Sequence, residues 1–350
     1  MHGVMALQWD QYGDEYLEEE LHPLKILVIG CGGGGCNSIN RLNRIGIEGA
    51  ETIAINTDKR HLRTINADKR LLIGMEVTRG LGAGGNPDIG MHCVLNAGGA
   101  LNQVLQGADL TFITVGMGGG TGTGTAPVVA EMAKRHGSLV ISIATTPFGF
   151  EGNRTDIASR GLRRLDTNSD TLLILDNNRL LEMVPNLPME QALGVMDLLI
   201  SEIIRGLIEA ITEPSLINLD FADLCSVLSQ GGISTLLYGE SSDPEGVVVD
   251  AFNNPLLDID LSGATGALIH ITGGNNLTLR RVEKIIKGIS QYLDPRANLI
   301  CGTRIDEAYE GQIRVMAVIT GIADIAEDSA YEDEIEVDQG IEGALVRYDP

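Results

Sequence analysis

Two glycine-rich runs are candidate phosphate-binding loops. The first, CGGGGCN at 31–37, follows the apolar run KILVIG, and the second, GMGGGTGTGTAP at 116–127, follows LTFITVG. Glycine leaves backbone N–H groups bare at a helix start, where they and the helix dipole can bind phosphate. Neither run has the lysine of a Walker loop, so backbone amides, the hydroxyls of Thr121 and Thr123 and a cation would have to meet the phosphate charge.

The first glycine run alone is compatible with another enzyme class. Gly30, Gly32 and Gly35 satisfy the GxGxxG spacing of a dinucleotide-binding fold, and Asp58 is a candidate ribose ligand. A Rossmann oxidoreductase is therefore an open alternative at this point. A second phosphate loop, however, is more than a dinucleotide fold needs, and a flexible linker does not explain GGGTGTG because apolar strand and helix segments flank it.

A pair of carboxylates lies far along the chain from both glycine runs, in NLDFAD at 218–223. Asp220 and Asp223 are not expected to be phosphate ligands. Because aspartate is a favoured helix cap, they are also candidates for capping a helix or bridging two domains. The sequence pattern alone leaves both a structural and a chemical role open.

The elements that must position these residues follow an alternating pattern. From Leu24 onward, strand-like runs (KILVIG, TIAINTD, LTFITVG, LVISIATTP, TLLILDN) alternate with helical stretches, the first of them expected from about Asn37. This alternation predicts an α/β fold with a parallel sheet covered by helices on both faces. Between 189 and 211, apolar residues at three- and four-residue steps predict one long, largely buried helix.

The domain boundaries are predicted from changes in this pattern. We expect a flexible acidic arm over 1–23, a first α/β domain over 24–188, and a central core helix over 189–213. A second, smaller α/β domain is expected over 214–325, and an acidic disordered tail that ends in IEGALVRY over 326–350.

Composition excludes several classes of protein. With 43% hydrophobic residues and no long apolar run, the 350-residue chain is expected to be cytoplasmic and not to insert into a membrane. The net charge of −23 disfavours nucleic-acid binding. Five cysteines without close pairs indicate reduced, structural thiols and no zinc site.

Six motifs in order resemble the tubulin and FtsZ superfamily over about residues 24 to 322. They are NTD at 56–58, RGLGAGGNP at 79–87, GGGTGTG at 118–124, TPFGFEG at 146–152, DNNRL at 176–180 and NLDFAD at 218–223. The details LDNNRLLEMVPNLP, SLINLDFAD and ALIHITGGNNLTL look most like the second archaeal FtsZ class. The resemblance implies a Rossmann-like GTP-binding domain, a long central helix and a GTPase-activating second domain.

The resemblance also implies a set of nucleotide-binding residues. The candidates for GTP or GDP are Gly33, Gly34, Gly35, Cys36, Asn37, Gly119, Gly120, Thr121, Gly122, Thr123, Glu151, Arg154, Asn177 and Asp197. Glu151 would bind ribose and Asp197 guanine. A carboxylate can accept hydrogen bonds from guanine N1–H and the exocyclic amine together, which adenine cannot offer.

Two positions depart from the family pattern. Leu193 stands where the family has an aromatic residue against guanine, so aliphatic packing is expected there. Arg154 lies three residues after Glu151, whereas bacterial members place a phosphate-binding arginine four residues after it, where this chain has Thr155.

Function follows from the resemblance as a set of expectations. Asp220 and Asp223, with Asn218 in support, would reach into the pocket of the next subunit and orient a water for attack on the γ-phosphate. The chain would hydrolyse GTP, with Mg²⁺ held mainly by phosphates and water, and form homopolymer filaments at the cell-division site. A membrane-anchoring adaptor would bind the tail. A monomeric GTP-binding regulator remains the alternative.

Overall fold

The computed structural model describes residues 24–213, 217, 220–229, 233–253, 261 and 263–322. The predicted arm over 1–23, the tail over 326–350 and Asn218 lie outside the described residues. Within the described ranges, no helix is both long enough and apolar enough to cross a membrane.

The described residues form alternating strands and helices, as the sequence pattern predicts. The strands are β1 (Ile26–Cys31), β2 (Ala50–Asn56), β3 (Lys69–Leu72), β4 (Leu110–Gly116), β5 (Leu139–Thr146), β6 (Thr171–Asp176), β7 (Ile233–Ser241), β8 (Gly266–Gly273), β9 (Asn298–Ile305) and β10 (Ile313–Ile322). The helices are α1 (Gly32–Ile45), α2 (Lys59–Thr64), α3 (Met75–Thr78), α4 (Pro87–Asn96), α5 (Gly98–Leu105), α6 (Thr121–Arg135), α7 (Asn153–Asn168), α8 (Arg179–Met183), α9 (Met189–Thr212), α10 (Phe221–Leu228), α11 (Pro244–Phe252) and α12 (Leu279–Ser290).

The strands join into a single sheet in the order β3-β2-β1-β4-β5-β6-β7-β10-β8-β9. Strands from β3 to β7 pair in parallel, whereas β10 pairs antiparallel with both β7 and β8. The two predicted α/β regions therefore share one sheet. Among the described residues, β6 and β7 join them through the pairs Leu172 with Ile233 and Leu173 with Ser234.

Buried apolar side chains explain why β1 and β4 lie at the centre of the sheet. Every residue of β1 is buried, and so is every residue of β4 except its last, Gly116. Alternate residues of β1 pack on opposite faces: Ile26 and Val28 toward α9, Leu27 and Ile29 toward α6. A third cluster lies in the second half of the chain, around α11, α12 and β8.

The long helix predicted between 189 and 211 is confirmed as α9 (Met189–Thr212). Its apolar face enters the same cluster as side chains from both halves of the sheet, including Leu173 on β6 and Met316 on β10. The helix thus packs against both α/β regions and fixes their relative position.

The first helix begins earlier than the sequence suggested. We expected it from about Asn37, but α1 starts at Gly32, so the glycine run itself forms the first turn. Because β1 ends at Cys31, the N–H groups of this turn lie directly at the carboxyl end of the strand.

Candidate functional site

The two glycine runs meet in direct backbone contact. Gly32 has a φ of +73°, and a Cβ atom on it would lie 2.5 Å from the backbone nitrogen of Gly122. Gly35 packs equally closely against the carbonyl of Thr114 at the end of β4. By contrast, an added Cβ on Gly33 would meet nothing within 4 Å. The loops therefore form one surface, with bare backbone toward solvent at Gly33.

The threonine hydroxyls of the second run hold the loops together. Thr121 Oγ1 lies 2.6 Å from Thr57 Oγ1, and Thr123 Oγ1 accepts a hydrogen bond from the Gly118 amide at 3.0 Å. Thr57 follows β2 in the NTD motif, so three strand ends converge on these loops. The arrangement presents backbone N–H groups, donors that suit a phosphate without a lysine partner, whereas the expected phosphate-binding hydroxyls of Thr121 and Thr123 make contacts within the loops.

A cavity of about 260 Å³ opens between α1, the ends of β4 and β5, and the start of α9. Its volume is close to the lower end of the range for small-molecule sites. It is lined by Gly34, Asn37, Ser38, Thr114, Val115, Gly116, Met117, Thr145, Pro147, Phe148, Glu151, Arg154, Asn177, Met189, Leu193, Met196, Asp197 and Ile200. Six of the residues predicted from the sequence to bind nucleotide thus line one cavity: Gly34, Asn37, Glu151, Arg154, Asn177 and Asp197.

Asp197 lies at the inner end of this cavity, among the apolar residues Leu193, Met196 and Ile200 of α9. Its Oδ1 accepts a hydrogen bond from Ser38 Oγ at 2.7 Å. Burial raises the pKa of the carboxyl group, while the Ser38 hydroxyl and the charge of Arg41 act in the opposite direction. Asp197 lines the cavity, and a carboxylate at this position can accept hydrogen bonds from a planar donor pair.

Two further polar atoms in the cavity wall have no hydrogen-bond partner among the described residues. They are the Asn177 amide oxygen, at the end of β6, and the Thr114 hydroxyl, near the end of β4. Both are buried, and a buried polar atom without a partner carries an energetic cost. Almost none of the surface of these two atoms is accessible, so a ligand in the cavity could donate to them only after a local rearrangement.

Glu151 and Arg154 form an ion pair with each other at the rim of the cavity. The Phe148 amide donates to Glu151 Oε1 at 2.9 Å, and Arg154 Nε donates to the Gly118 carbonyl at 3.3 Å. Arg154 thus lies beside the second glycine run, whereas Thr155 does not line the cavity. This geometry favours Arg154 over Thr155 as the phosphate-binding residue at the rim of the cavity.

The Cys36 side chain points away from the cavity. Its sulfur lies 3.5 Å from the Ile55 carbonyl, it is fully buried, and burial raises the pKa of its thiol. Cys36, one of the predicted nucleotide-binding residues, could therefore contact the nucleotide only through its backbone. Among the described residues, moreover, no group of three or more His, Cys, Asp or Glu side chains is arranged to hold a metal ion.

Asp220 and Asp223 form a capping box at the start of α10. The Asp223 amide donates to Asp220 Oδ1 at 2.7 Å, and the Asp220 amide donates to Asp223 Oδ2 at 3.2 Å. The capping alternative left open by the sequence is therefore present in the single chain. Asp220 is exposed and Asp223 partly exposed, so both carboxylates can also be reached from outside.

Helix α10, whose start carries these carboxylates, ends beside the first residue of β6, and the cavity lies at the other end of that strand. Thr171, the first residue of β6, donates to the Leu228 carbonyl at the end of α10 at 2.8 Å, whereas Asn177 follows the last residue of β6. The two ends of β6, which has six residues, are about 20 Å apart. Thr212, at the end of α9, lies by Gly49 just before β2, about 22 Å along the helix from Asp197.

Sequence reasoning missed four residues of this site: Ser38, Arg41, Thr57 and Thr114. A signal existed for Ser38, four residues after Gly34 on α1, and for Arg41, three residues after Ser38, because these spacings place both on the face that carries Gly34. Thr57 was inside a recognised motif. Thr114 looked like an ordinary buried strand residue, and only the sheet register places it beside the glycine loops.

Known protein families match nearly the whole described part of the chain. The model of the tubulin/FtsZ family GTPase domain matches residues 25–185, and that of the FtsZ family C-terminal domain matches residues 232–323. Cell division protein FtsZ 2 of Halobacterium salinarum is 50% identical over 316 residues, which are 89% of this chain and 78% of that protein. Cell division protein FtsZ 2 of Methanocaldococcus jannaschii is 53% identical, over 88% of this chain and 82% of that protein.

A solved structure gives the same result. The FtsZ of M. jannaschii, determined as an empty dimer, superposes with a TM-score of 0.81 at 47% sequence identity and covers 88% of this chain and 90% of that one. The expected fold is thereby confirmed, and the oxidoreductase alternative is removed. With both domain models matched in order and half of its residues identical to those of such relatives, this chain belongs to the FtsZ family of GTP-binding tubulin-like GTPases.

Proposed function

We propose that this protein is a GTPase whose subunits assemble head to tail into filaments, each GTP site being completed by Asp220 and Asp223 of the next subunit. One observation supports the proposal: α10, which Asp220 caps, ends at the first residue of β6, whereas the nucleotide cavity lies beyond the last residue of β6. A site split in this way can be complete only where two subunits meet.

The cavity itself offers no carboxylate for water activation at its phosphate end. Its acidic lining residues in the described part of the chain are Asp197, hydrogen-bonded to Ser38, and Glu151, paired with Arg154. GTP hydrolysis needs a group that orients the attacking water. The exposed carboxylates of Asp220 and Asp223 are suited to that role in a neighbouring cavity.

Within the cavity we assign the nucleotide contacts by chemistry. Asp197 would accept from guanine N1–H and the exocyclic amine, and Asn177 and Thr114, after a local rearrangement, would satisfy further polar groups of the nucleoside. The backbone around Gly33 and Gly119 would bind the phosphates. Mg²⁺ would be held mainly by phosphate oxygens and water, where it would neutralise charge on the β- and γ-phosphates.

Apolar side chains at the cavity rim support a covering subunit. Phe150 is 66% exposed and Met189 is 57% exposed, and both lie beside the predicted nucleotide site. Contact between this rim and the surface of a second copy that carries Asp220 and Asp223 is heterologous. Its repetition generates an open filament. The 47% identical M. jannaschii protein was determined as a dimer, which supports self-association.

We further propose a role in cell division, at the division site, as in the relatives named above. The acidic tail over 326–350 is the proposed binding segment for a membrane-anchoring adaptor.

The test is GTP turnover per molecule as a function of protein concentration, with polymer measured by sedimentation in the same samples. Turnover should be very low at high dilution and rise above a threshold concentration at which polymer also appears. Turnover that stays constant across this range, with no sedimenting species, would instead indicate a monomeric GTPase.

A further inference from the structure

The face of α1 that packs against α9 carries a polar cluster behind the nucleotide cavity. Gly34, Ser38 and Arg41 lie three or four residues apart on one side of the helix. Gly34 and Ser38 line the cavity, and Ser38 Oγ donates to Asp197 at 2.7 Å. One helix therefore presents both the proposed phosphate-binding turn and the residues that contact the proposed guanine-binding carboxylate.

Ser201 holds the two helices together at this point. Its hydroxyl is fully buried and lies 2.7 Å from the Asp197 carbonyl and 3.4 Å from the Ser38 carbonyl. The small side chains of Ser38 and Ser201 allow α1 and α9 to approach closely. The direction of the Asp197 carboxylate is consequently set by contacts on α1 as well as by its own helix.

Arg41 supplies positive charge to the same cluster. It takes part in no ion pair between described residues, and its Nε is buried without a hydrogen-bond partner among them. Arg41 acts on Asp197 by charge, favouring the ionised carboxylate against the effect of burial. Arg41 lies one turn along α1 from Ser38, the hydrogen-bond partner of Asp197, and its guanidinium is therefore suited to be the counter-charge of that carboxylate.

We propose that Ser38 and Arg41 are positioning residues for guanine recognition: Ser38 orients the Asp197 carboxylate by its hydrogen bond, and Arg41, on the next turn of the same face of α1, is its counter-charge. The inference rests on the proposed contact between Asp197 and guanine. It assigns to α1 a second task beyond phosphate binding, and it makes nucleotide affinity depend on a residue outside the cavity lining.

The remaining charged groups around the cavity are accounted for. Glu151 and Arg154 pair with each other at the rim. His61 Nε2 on α2 lies 2.9 Å from Asn37 Oδ1, and its Nδ1 lies 3.1 Å from the side-chain amide nitrogen of Asn56. Because these groups are unchanged in variants of Arg41, the difference between variants isolates the effect on Asp197.

The test compares GDP affinity, measured by calorimetry, for Arg41→Met, Arg41→Lys and Ser38→Ala between about pH 5.5 and 8. Arg44→Met is the matched control, because Arg44 lies on the same helix but is exposed. We expect Arg41→Met and Ser38→Ala to weaken GDP binding about threefold to tenfold near neutral pH. In Arg41→Met the affinity should begin to fall at a higher pH than in the wild type, since loss of the cation favours protonation of Asp197. Arg41→Lys should restore most of the wild-type profile.

Urea unfolding of the nucleotide-free variants separates positioning from a general structural role. Arg41→Met should resemble Arg44→Met in stability and differ from it only in the affinity and the pH profile of GDP binding. Equal GDP affinity and equal pH profiles for wild type and Arg41→Met would overturn the inference. Asp197→Ala tests the proposed contact between Asp197 and guanine. Wild-type GDP affinity in Asp197→Ala would reject that contact. Weak GDP binding by Asp197→Ala together with wild-type GDP binding by Arg41→Met would reject only the role of Arg41.

Discussion

Gly32 and Gly122 lie in backbone contact, which joins the two glycine loops into one rigid surface. A Cβ atom on Gly32 would fall 2.5 Å from the Gly122 nitrogen and 2.8 Å from its Cα. Neither atom is part of a flexible side chain, so the contact cannot be relieved by a rotamer change. The two runs, which are about 90 residues apart in the sequence, therefore depend on each other for their shape.

Gly32→Ala should consequently destabilise the nucleotide-free protein. Gly32 has a positive φ of 73°, so alanine adds backbone strain to the collision with Gly122. We expect a loss of about 2 kcal/mol or more in the free energy of unfolding, measured with urea. Gly33→Ala is the matched control, because an added Cβ there has nothing within 4 Å. Equal stability of the two variants would contradict the contact.

Asp220→Ser should separate helix capping from catalysis. Serine is as good an N-cap as aspartate, so the stability of the variant should stay within about 0.5 kcal/mol of wild type. It removes the carboxylate, however, and GTP turnover should fall about a hundredfold or more at polymer-forming concentrations. Asp243→Ser is the control: Asp243 caps α11 through the Glu245 and Gly246 amides and has no proposed catalytic role. If Asp220→Ser hydrolyses GTP at the same rate as Asp243→Ser, the role of Asp220 is limited to capping α10.

The sequence predicted those features that depend on local pattern. The alternation of strands and helices and the long α9 follow from periodicity, whereas the cavity position of Asp197 follows from the family resemblance that the motifs carry. Features made by distant chain segments were not accessible: nothing near Leu172 indicates that it pairs with Ile233. The spacing places Arg41 on the face of α1 that carries Gly34 and Ser38, but the packing of this face against α9 becomes visible only in the fold.

His270 should make the protein sensitive to mild acid. It lies on β8, 6% exposed, with Nε2 unpartnered among the described residues. Burial, reinforced by the charges of Arg304 and Arg314, lowers its pKa to about 4. Between about pH 6.5 and 4 the unfolded chain binds a proton that the folded chain does not, so stability falls as the pH falls through this range.

Replacing His270 should remove this dependence. At about pH 5 the penalty in the wild type is roughly 2 kcal/mol relative to neutral pH, and His270→Gln should lose that part of the decline. Urea unfolding at about pH 7.5 and 5 measures it. His92→Gln is the control, since His92 is exposed on α4. If His270→Gln and wild type lose stability equally on acidification, His270 is not the titrating group.

The shared-site proposal predicts that two inactive variants regain activity when mixed. The pocket must be blocked without breaking the loops, and Gly120→Val, which we would choose from the sequence, is unsuitable: a Cβ there would lie 2.7 Å from the Asn86 backbone nitrogen. Gly33→Val has free space within the nucleotide-free fold and puts bulk where the phosphates are proposed to bind.

Asp223→Asn is the partner variant, because its amide oxygen can still accept from the Asp220 amide while the carboxylate charge is lost. Each variant alone should hydrolyse GTP slowly, the first for lack of nucleotide and the second for lack of a water-orienting group. In an equal mixture, a junction between the intact pocket of Asp223→Asn and the intact loop of Gly33→Val contains every catalytic part. Random pairing makes about one junction in four of this kind, which limits the recovered turnover to about a quarter of wild type. Sedimentation of the mixture shows whether Gly33→Val enters the polymer. Co-sedimentation of both variants without recovered turnover, or wild-type turnover by Asp223→Asn alone, would reject the shared site.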